Sequence, residues 1–358
     1  MSSPPSTQQP AQQPGVTFDE IRALMRDLPG PDLESGTAAV ARQNQLTKPR
    51  GSLGRLEELA QWMATWQGKH PPELRRPRVS VFAGNHGIAA RGVSAYPSEV
   101  TAQMVQNFID GGGAVNQLAE AADADLRVYE LDLDHPTRDF TTGPAMSEEG
   151  CARSMAYGMM AVEQGLHLIC LGEMGIANTT SAAALCAALF GGDPADWVGP
   201  GTGVDASGIA IKVETVAAGL AANPTASTDP LEALRCLGGY ELAAIAGAIA
   251  AARMARTPVV LDGYACTAAA AVLWRMDSRA LDHCVIAHRS AEPGHARLIE
   301  KLGMRPLFDF GMRLGEGSGA ALAIPILKAA VECHTGMATF DEAGVSGQAA
   351  SPTPGQLH

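Results

Sequence analysis

Residues 166–190 read LHLICLGEMGIANTTSAAALCAALF, and they hold one complete unit of the fold. Leu166–Leu171 form an almost continuous apolar run, the pattern of a strand covered on both faces of a parallel sheet. The run stops at Gly172, a short polar loop follows, and TTSAAALCAALF continues as a helix. Outward from this unit the same alternation recurs. Apolar runs at VSVFAG (79–84), LRVYELD (126–132), PVVLDG (258–263) and CVIAH (284–288) each lead into a Gly- or Asp-containing loop. Helical stretches such as EVTAQMVQNFI and YELAAIAGAIAAARMA lie between them. Strand-loop-helix repetition of this kind predicts an α/β fold, a Rossmann-like parallel sheet with helices on both faces. Ligands in such folds gather beyond the carboxyl ends of the strands, so the loops there carry the chemistry.

Length and charge narrow the function. The chain has 358 residues, which at roughly 150 per domain suggests about two structural units. Residues 1–16 and 346–358 are poor in groups to bury and are expected to be disordered tails. A helical segment is expected over 17–70, in which RLEELAQWMATWQ (55–67) gathers Leu56, Leu59, Trp62, Met63 and Trp66 on one face. The large α/β unit is expected over 71–310, entered through the Pro-rich HPPELRRP (70–77), and 311–345 supplies a loop and a final helix. There are 26 basic and 38 acidic residues, net −12, and only 5% are aromatic. An acidic chain without stacking platforms is not expected to bind nucleic acid. The seven cysteines are scattered without a CxxC pair, the pattern of reduced thiols and not of a disulfide frame or zinc site. The longest apolar run, LAAIAGAIAAA, is too short for a bilayer. With no signal-like N-terminus, a cytoplasmic protein is expected.

Four loops could carry chemistry. In LGEMGIANTTS, Glu173 follows the strand, Gly175 loosens the turn, and Asn178, Thr179 or Thr180 is placed to cap the next helix. In GPGTGVDASGIAIK (199–212), glycines that include Gly201 and Gly203 allow backbone N–H groups to converge on an anion, with Lys212 behind them. In AHRSAEPGHARLIE (287–300), Ser290 suits a phosphate or ribose contact. His288, Glu292 and His295 invite a metal reading, but Pro293-Gly294 breaks any regular spacing, so no metal is expected. In MRLGEGSGAALA, Glu316 stands between two glycines ahead of Ser318, a helix-cap residue type. The dipole of the following helix would lower its pKa by less than about one unit, whereas burial can raise it by about 3–5, so a closed pocket makes Glu316 a general base.

These loops, with LTKPRGSLGRLEELA, NHGIAARGVSAYPSEVTAQM, GGYELAAIAGAIAAARM and VVLDGY, closely resemble the nicotinate-nucleotide–dimethylbenzimidazole phosphoribosyltransferase family over about 18–345. The resemblance implies transfer of 5-phosphoribosyl from nicotinate mononucleotide to 5,6-dimethylbenzimidazole, with inversion, in assembly of the cobalamin lower ligand. It implies no cofactor, a homodimer, and a small helical domain built from both chain ends. It assigns Glu316 as the catalytic base. It places Glu173, Gly175, Asn178, Thr179, Gly201, Gly203, Lys212, Asp262, Ser290 and Glu292 at the nucleotide and its phosphate. It places His86, Tyr96, Met104 and Leu314 at the benzimidazole. Some relatives carry Ser and Gln where this chain has Tyr96 and Met104, which bears on acceptor preference and not on the reaction. Two other readings are a non-catalytic mononucleotide sensor and a hydrolase that releases nicotinate without an acceptor.

Overall fold

The structure is a computed structural model that describes residues 16–347. Apart from residues 16, 346 and 347, the two expected tails lie outside the described residues. Five strands form one parallel sheet: β1 (Pro77–Ala83), β2 (Asp125–Glu130), β3 (Leu168–Met174), β4 (Val259–Leu261) and β5 (Cys284–Ile286). Their order is β2-β1-β3-β4-β5, and every pairing is parallel. The strand order reverses between β1 and β3, and the crevice beyond their carboxyl ends is the expected ligand position for a doubly wound sheet.

All five apolar runs became strands, and their side chains divide between two cores with the period of two that a strand imposes. Phe82, Ile169, Leu171, Val259 and Leu261 face one core, shared with the helices Glu148–Met159, Asn178–Phe190, Tyr240–Met254 and Tyr264–Met276. Val79, Val81, Leu168, Cys170 and Val260 face the other, shared with Arg55–Gln67, Ala114–Ala121 and Ser318–Gly336. Helices therefore cover both faces. β2 departs from the expected two-sided burial because it is an edge strand, with Asp125, Arg127 and Glu130 exposed.

The helical start divides. Phe18, Ile21 and Met25 of the helix Phe18–Arg26 join the first core, whereas Leu59 and Met63 of Arg55–Gln67 pack with Ile324 and Leu327 of Ser318–Gly336 in the second. All seven cysteines are free, and six are buried. Among the described residues no helix is long and apolar enough to cross a membrane.

Candidate active site

A cleft of about 620 Å³ opens at the carboxyl ends of β1 and β3. The loop after β1 and the helix Glu99–Ile109 give it an apolar wall of Val93, Tyr96, Val100 and Met104. Residues 173–179 form its floor, Gly201 and Thr202 one rim, Ser290 and Glu292 another, and Arg313, Leu314, Gly315 and Glu316 its far side.

The loop that carries Glu316 is in an unusual conformation. Gly315, Glu316 and Gly317 all have positive φ, at 79°, 65° and 79°. For glutamate this region is unfavourable, so surrounding structure must hold it there. Three contacts do so. The N–H of Glu316 donates to the carbonyl of Glu173 at 3.1 Å. The N–H of Gly317 donates to Asp262 Oδ2 at 3.1 Å, and that of Ala320 to Asp262 Oδ1 at 2.8 Å. The loop also lies directly on β3, since a Cβ on Gly172 would run into the backbone of Gly317. The Glu316 side chain ends at the cleft, 7% exposed. Burial pushes its carboxyl up to about 7.

Glu173 is buried beside it. Burial first, then the nearby Asp262, Glu241 and Glu316 carboxylates, push it up to about 8, against the bond it accepts from the Asn178 amide. Asp262, also buried, is pushed up to about 7 despite the backbone N–H groups it accepts. A cluster of three such carboxyls, two at the cleft and Asp262 behind them, gives groups that stay protonated or exchange protons near neutrality.

The opposite chemical character lies at Gly201. Lys212 is buried beneath it and donates to the Gly199 carbonyl at 2.8 Å and to Thr179 Oγ1 at 3.2 Å. Those bonds use two of the three ammonium donors. Burial lowers the Lys212 pKa to about 8, with Glu292 opposing the shift. Glu292 Oε1 accepts the Gly201 N–H at 2.8 Å, and Arg313 donates to the Gly201 carbonyl at 2.7 Å.

Of the residues that the resemblance assigns to the site, the cleft gathers Glu173, Gly175, Asn178, Thr179, Gly201, Ser290, Glu292, Tyr96, Met104, Leu314 and Glu316, and His288 lines it beside them. Four do not line it. Lys212 lies one layer below, with the contacts just described. Gly203, at φ 108°, shapes the turn beyond the rim. Asp262 points away from the cleft to the N–H groups that hold the Glu316 loop. His86 is buried behind the floor, 2.7 Å from Glu241 Oε1 and 3.0 Å from Ser181 Oγ, because the strand end turns its ring inward.

Two capping expectations also change. The helix Asn178–Phe190 starts after a left-handed Ala177 with no side-chain cap, and the Asn178 amide turns to Glu173. Ser318 Oγ donates to the Gly315 carbonyl, so Asp262 does the capping there. His295 Nδ1 accepts the Ser290 N–H at 2.9 Å and its Nε2 lies 3.0 Å from Thr267 Oγ1, which makes it a satisfied core histidine. Arg313 and Thr202 escaped the sequence reading. Their only signal was proximity, Arg313 three residues before Glu316 and Thr202 between two glycines.

A profile of a family described as phosphoribosyltransferase matches residues 28–345. The nicotinate-nucleotide–dimethylbenzimidazole phosphoribosyltransferase of Brucella canis is 55% identical over 332 residues, 93% of this chain and 98% of its own. The chain belongs to the nicotinate-nucleotide–dimethylbenzimidazole phosphoribosyltransferase family. A member from Brucella anthropi is 54% identical over 333 residues, again 93% of this chain and 98% of its own. The solved structure of a family member from Thermus thermophilus superposes with a TM-score of 0.80 at 43% identity, covering 88% of this chain and 99% of that one. The parallel α/β fold expected from the resemblance is therefore the fold of the family.

Proposed function

We propose that this chain moves the 5-phosphoribosyl group of nicotinate mononucleotide to 5,6-dimethylbenzimidazole, giving nicotinate and α-ribazole 5′-phosphate for cobalamin synthesis. The observation that carries the roles within this reading is Glu316. It is a carboxylate held at the cleft by a strained backbone, raised by burial alone to about 7. That value is close to ideal for a general base near neutral pH.

The chemistry asks for little else. Nicotinate leaves with its ring nitrogen neutralised, so the departing group needs no acid. The attacking benzimidazole nitrogen becomes cationic as its bond to the anomeric carbon forms, and the ring's other N–H proton passes to Glu316. Lys212, Thr179 and the Gly201–Gly203 turn form the phosphate end, with Ser290 and Glu292 beside it. Glu173, protonated near neutral pH, can donate to a ribose or nucleotide oxygen, and Gly175 and Asn178 shape the floor under it. Tyr96, Met104 and Leu314 receive the flat acceptor. Two rings held on opposite faces of one ribose supply the orientation, and with it the inversion.

In this reading the enzyme is a cytoplasmic homodimer that takes small-molecule substrates and no nucleic acid, in keeping with a net charge of −12. Segments 17–70 and 311–345 form its small unit around the large one at 71–310. Arg55–Gln67 packs on Ser318–Gly336, which supports pairing these two segments, but both share their core with β1, β3 and β4 of the large unit, and Phe18–Arg26 lies with the large unit.

A product assay with and without dimethylbenzimidazole tests the function. Nicotinate and a ribosylated benzimidazole should appear together and only with the acceptor. Nicotinate released equally without acceptor means a hydrolase, and mononucleotide binding without turnover means a sensor.

A further inference from the structure

The Gly199–Gly203 loop touches both halves of the cleft through one side chain. Thr202 Oγ1 accepts the N–H of Ala95 at 3.0 Å and lies 3.0 Å from Ser94 Oγ. Ser94 and Ala95 precede Tyr96 in the loop that walls the apolar side, and Ser94 Oγ in turn accepts the Tyr96 N–H at 3.2 Å. The neighbouring Gly201 is fixed on both sides, its N–H to Glu292 and its carbonyl to Arg313. Directly beneath, a Cβ on Gly201 would come within 2.9 Å of Lys212 Nζ. One short loop thus joins the polar end, where the phosphate would lie, to the apolar wall, where the acceptor would lie.

We propose that Thr202 is a positioning residue through which an occupied phosphate end orders the acceptor wall. The inference rests on the reading of the cleft given above. The Gly201 and Gly203 N–H groups are held by Glu292 and the Pro200 carbonyl, so an anion above Lys212 meets the N–H of Thr202 itself and fixes that residue. The Thr202 hydroxyl then finds Ser94 and Ala95 already in place, and the loop bearing Tyr96 loses freedom before the benzimidazole arrives. Ordering done by one ligand need not be done again by the next, which is positive coupling between the two sites. Neither Ser94 nor Ala95 needs to touch the nucleotide for this.

Dimethylbenzimidazole affinity is measured by titration on the wild type, Thr202→Val and Thr202→Ser, each with and without saturating inorganic phosphate. Steady-state KM values for both substrates accompany the titrations. Wild type should bind the benzimidazole more tightly with phosphate present, by roughly 2- to 13-fold, the range that one neutral hydrogen bond supports. Thr202→Val should lose that gain and raise the acceptor KM by a similar factor, with mononucleotide affinity measured without acceptor held within about twofold. Thr202→Ser, which keeps the hydroxyl, should restore both. A gain unchanged in Thr202→Val overturns the proposal, as does a mononucleotide KM that rises alone or a Ser variant that behaves like Val. Wild type that binds the acceptor but transfers no ribosyl group counts against the proposed function instead, because the titrations are read without turnover.

Discussion

Asp262 accepts the backbone N–H of Gly317 at 3.1 Å, so a fully buried carboxylate grips the residue next to Glu316. Its other oxygen takes the N–H of Ala320. The pair turns the end of β4 into the clamp of the Glu316 loop. Asp262→Asn keeps the size but sets an amide NH₂ against one of these N–H groups. The expected result is a fall in kcat of about 10²-fold, the usual consequence of displacing a reacting group by about 1 Å. Mononucleotide affinity should stay within about twofold, because Asp262 does not line the cleft. A kcat fall matched by an equal loss of mononucleotide binding would instead make Asp262 a substrate ligand.

The pH dependence of kcat/KM reports the free enzyme. Glu316 must be ionised to accept a proton, and burial places it at about 7, so activity should rise through that value. Lys212 must be charged to hold phosphate, and burial lowers it to about 8, so activity should fall above that value. The outcome is a narrow bell. Glu316→Gln should remove the acid limb along with most of the rate, and an acid limb that survives in this variant assigns it to another group.

The five strands were legible because a strand covered on both sides has nowhere to place a polar side chain. Its end is then marked by the first Gly or Asp, as at Asp262 after β4, whereas β3 runs past Gly172 to Met174 and takes Glu173 into the strand. β2 reads as apolar yet lies half open, since sequence does not say which strand ends the sheet. Glu316 was legible for a different reason, as a charge isolated between glycines. Asp262 and His86 lie where ligands gather, at strand ends, but the direction of each side chain depends on loops distant in sequence. The Glu316 loop claims one, and Glu241 the other. Thr202 was invisible because its partner Ala95 is 107 residues away.

Glu316 at φ 65° also separates stability from activity. A left-handed glutamate costs roughly 1–2 kcal/mol, offset in a glycine variant by about 0.5–1 kcal/mol of added unfolded-state entropy. Burying the carboxylate adds a further cost that both Gln and Gly remove. Glu316→Gln should therefore melt above wild type, and Glu316→Gly at least as high. Both should lose about 10²–10⁴-fold in kcat. Thermal melts beside turnover check this, and a melting temperature below wild type for both variants would mean that the side chain stabilises the fold.

Buried carboxyls also set how stability changes with pH. Glu173, Asp262 and Glu316 are raised to about 8, 7 and 7, so the folded state holds protons that the unfolded chain has released above its ordinary carboxylate pKa. Their contribution falls as pH rises through those values. Buried His283, His295 and His334 are lowered to about 3, 3 and 4, and they act the opposite way, but only below the ordinary histidine pKa of about 6.5. Between about pH 6.5 and 8 the carboxyls act without that opposition. Denaturant midpoints of the ligand-free enzyme should decline across this window, with a shallower slope in Glu316→Gln. A flat wild-type profile would mean that these carboxyls ionise normally.

Met104 tests the acceptor wall. It lies on the helix Glu99–Ile109, half-buried, and meets the cleft beside Val93 and Val100. A flexible thioether fits around the two methyl groups of dimethylbenzimidazole, and an apolar wall discriminates a methylene-sized difference by only about 1–3 kcal/mol. The wild type should thus use plain benzimidazole and related azoles while preferring the dimethyl ring. Met104→Gln puts an amide against those methyls, where part of its hydrogen-bonding capacity goes unmet. The dimethyl-to-plain product ratio in mixed-acceptor assays should fall, roughly 5-fold or more for a change of about 1 kcal/mol. Mononucleotide KM should hold, because Gly201, Lys212 and Ser290 are untouched. An unaltered product ratio removes Met104 from the acceptor wall, and a ratio that shifts only together with the mononucleotide KM shows that the substitution has moved the floor at Glu173 instead.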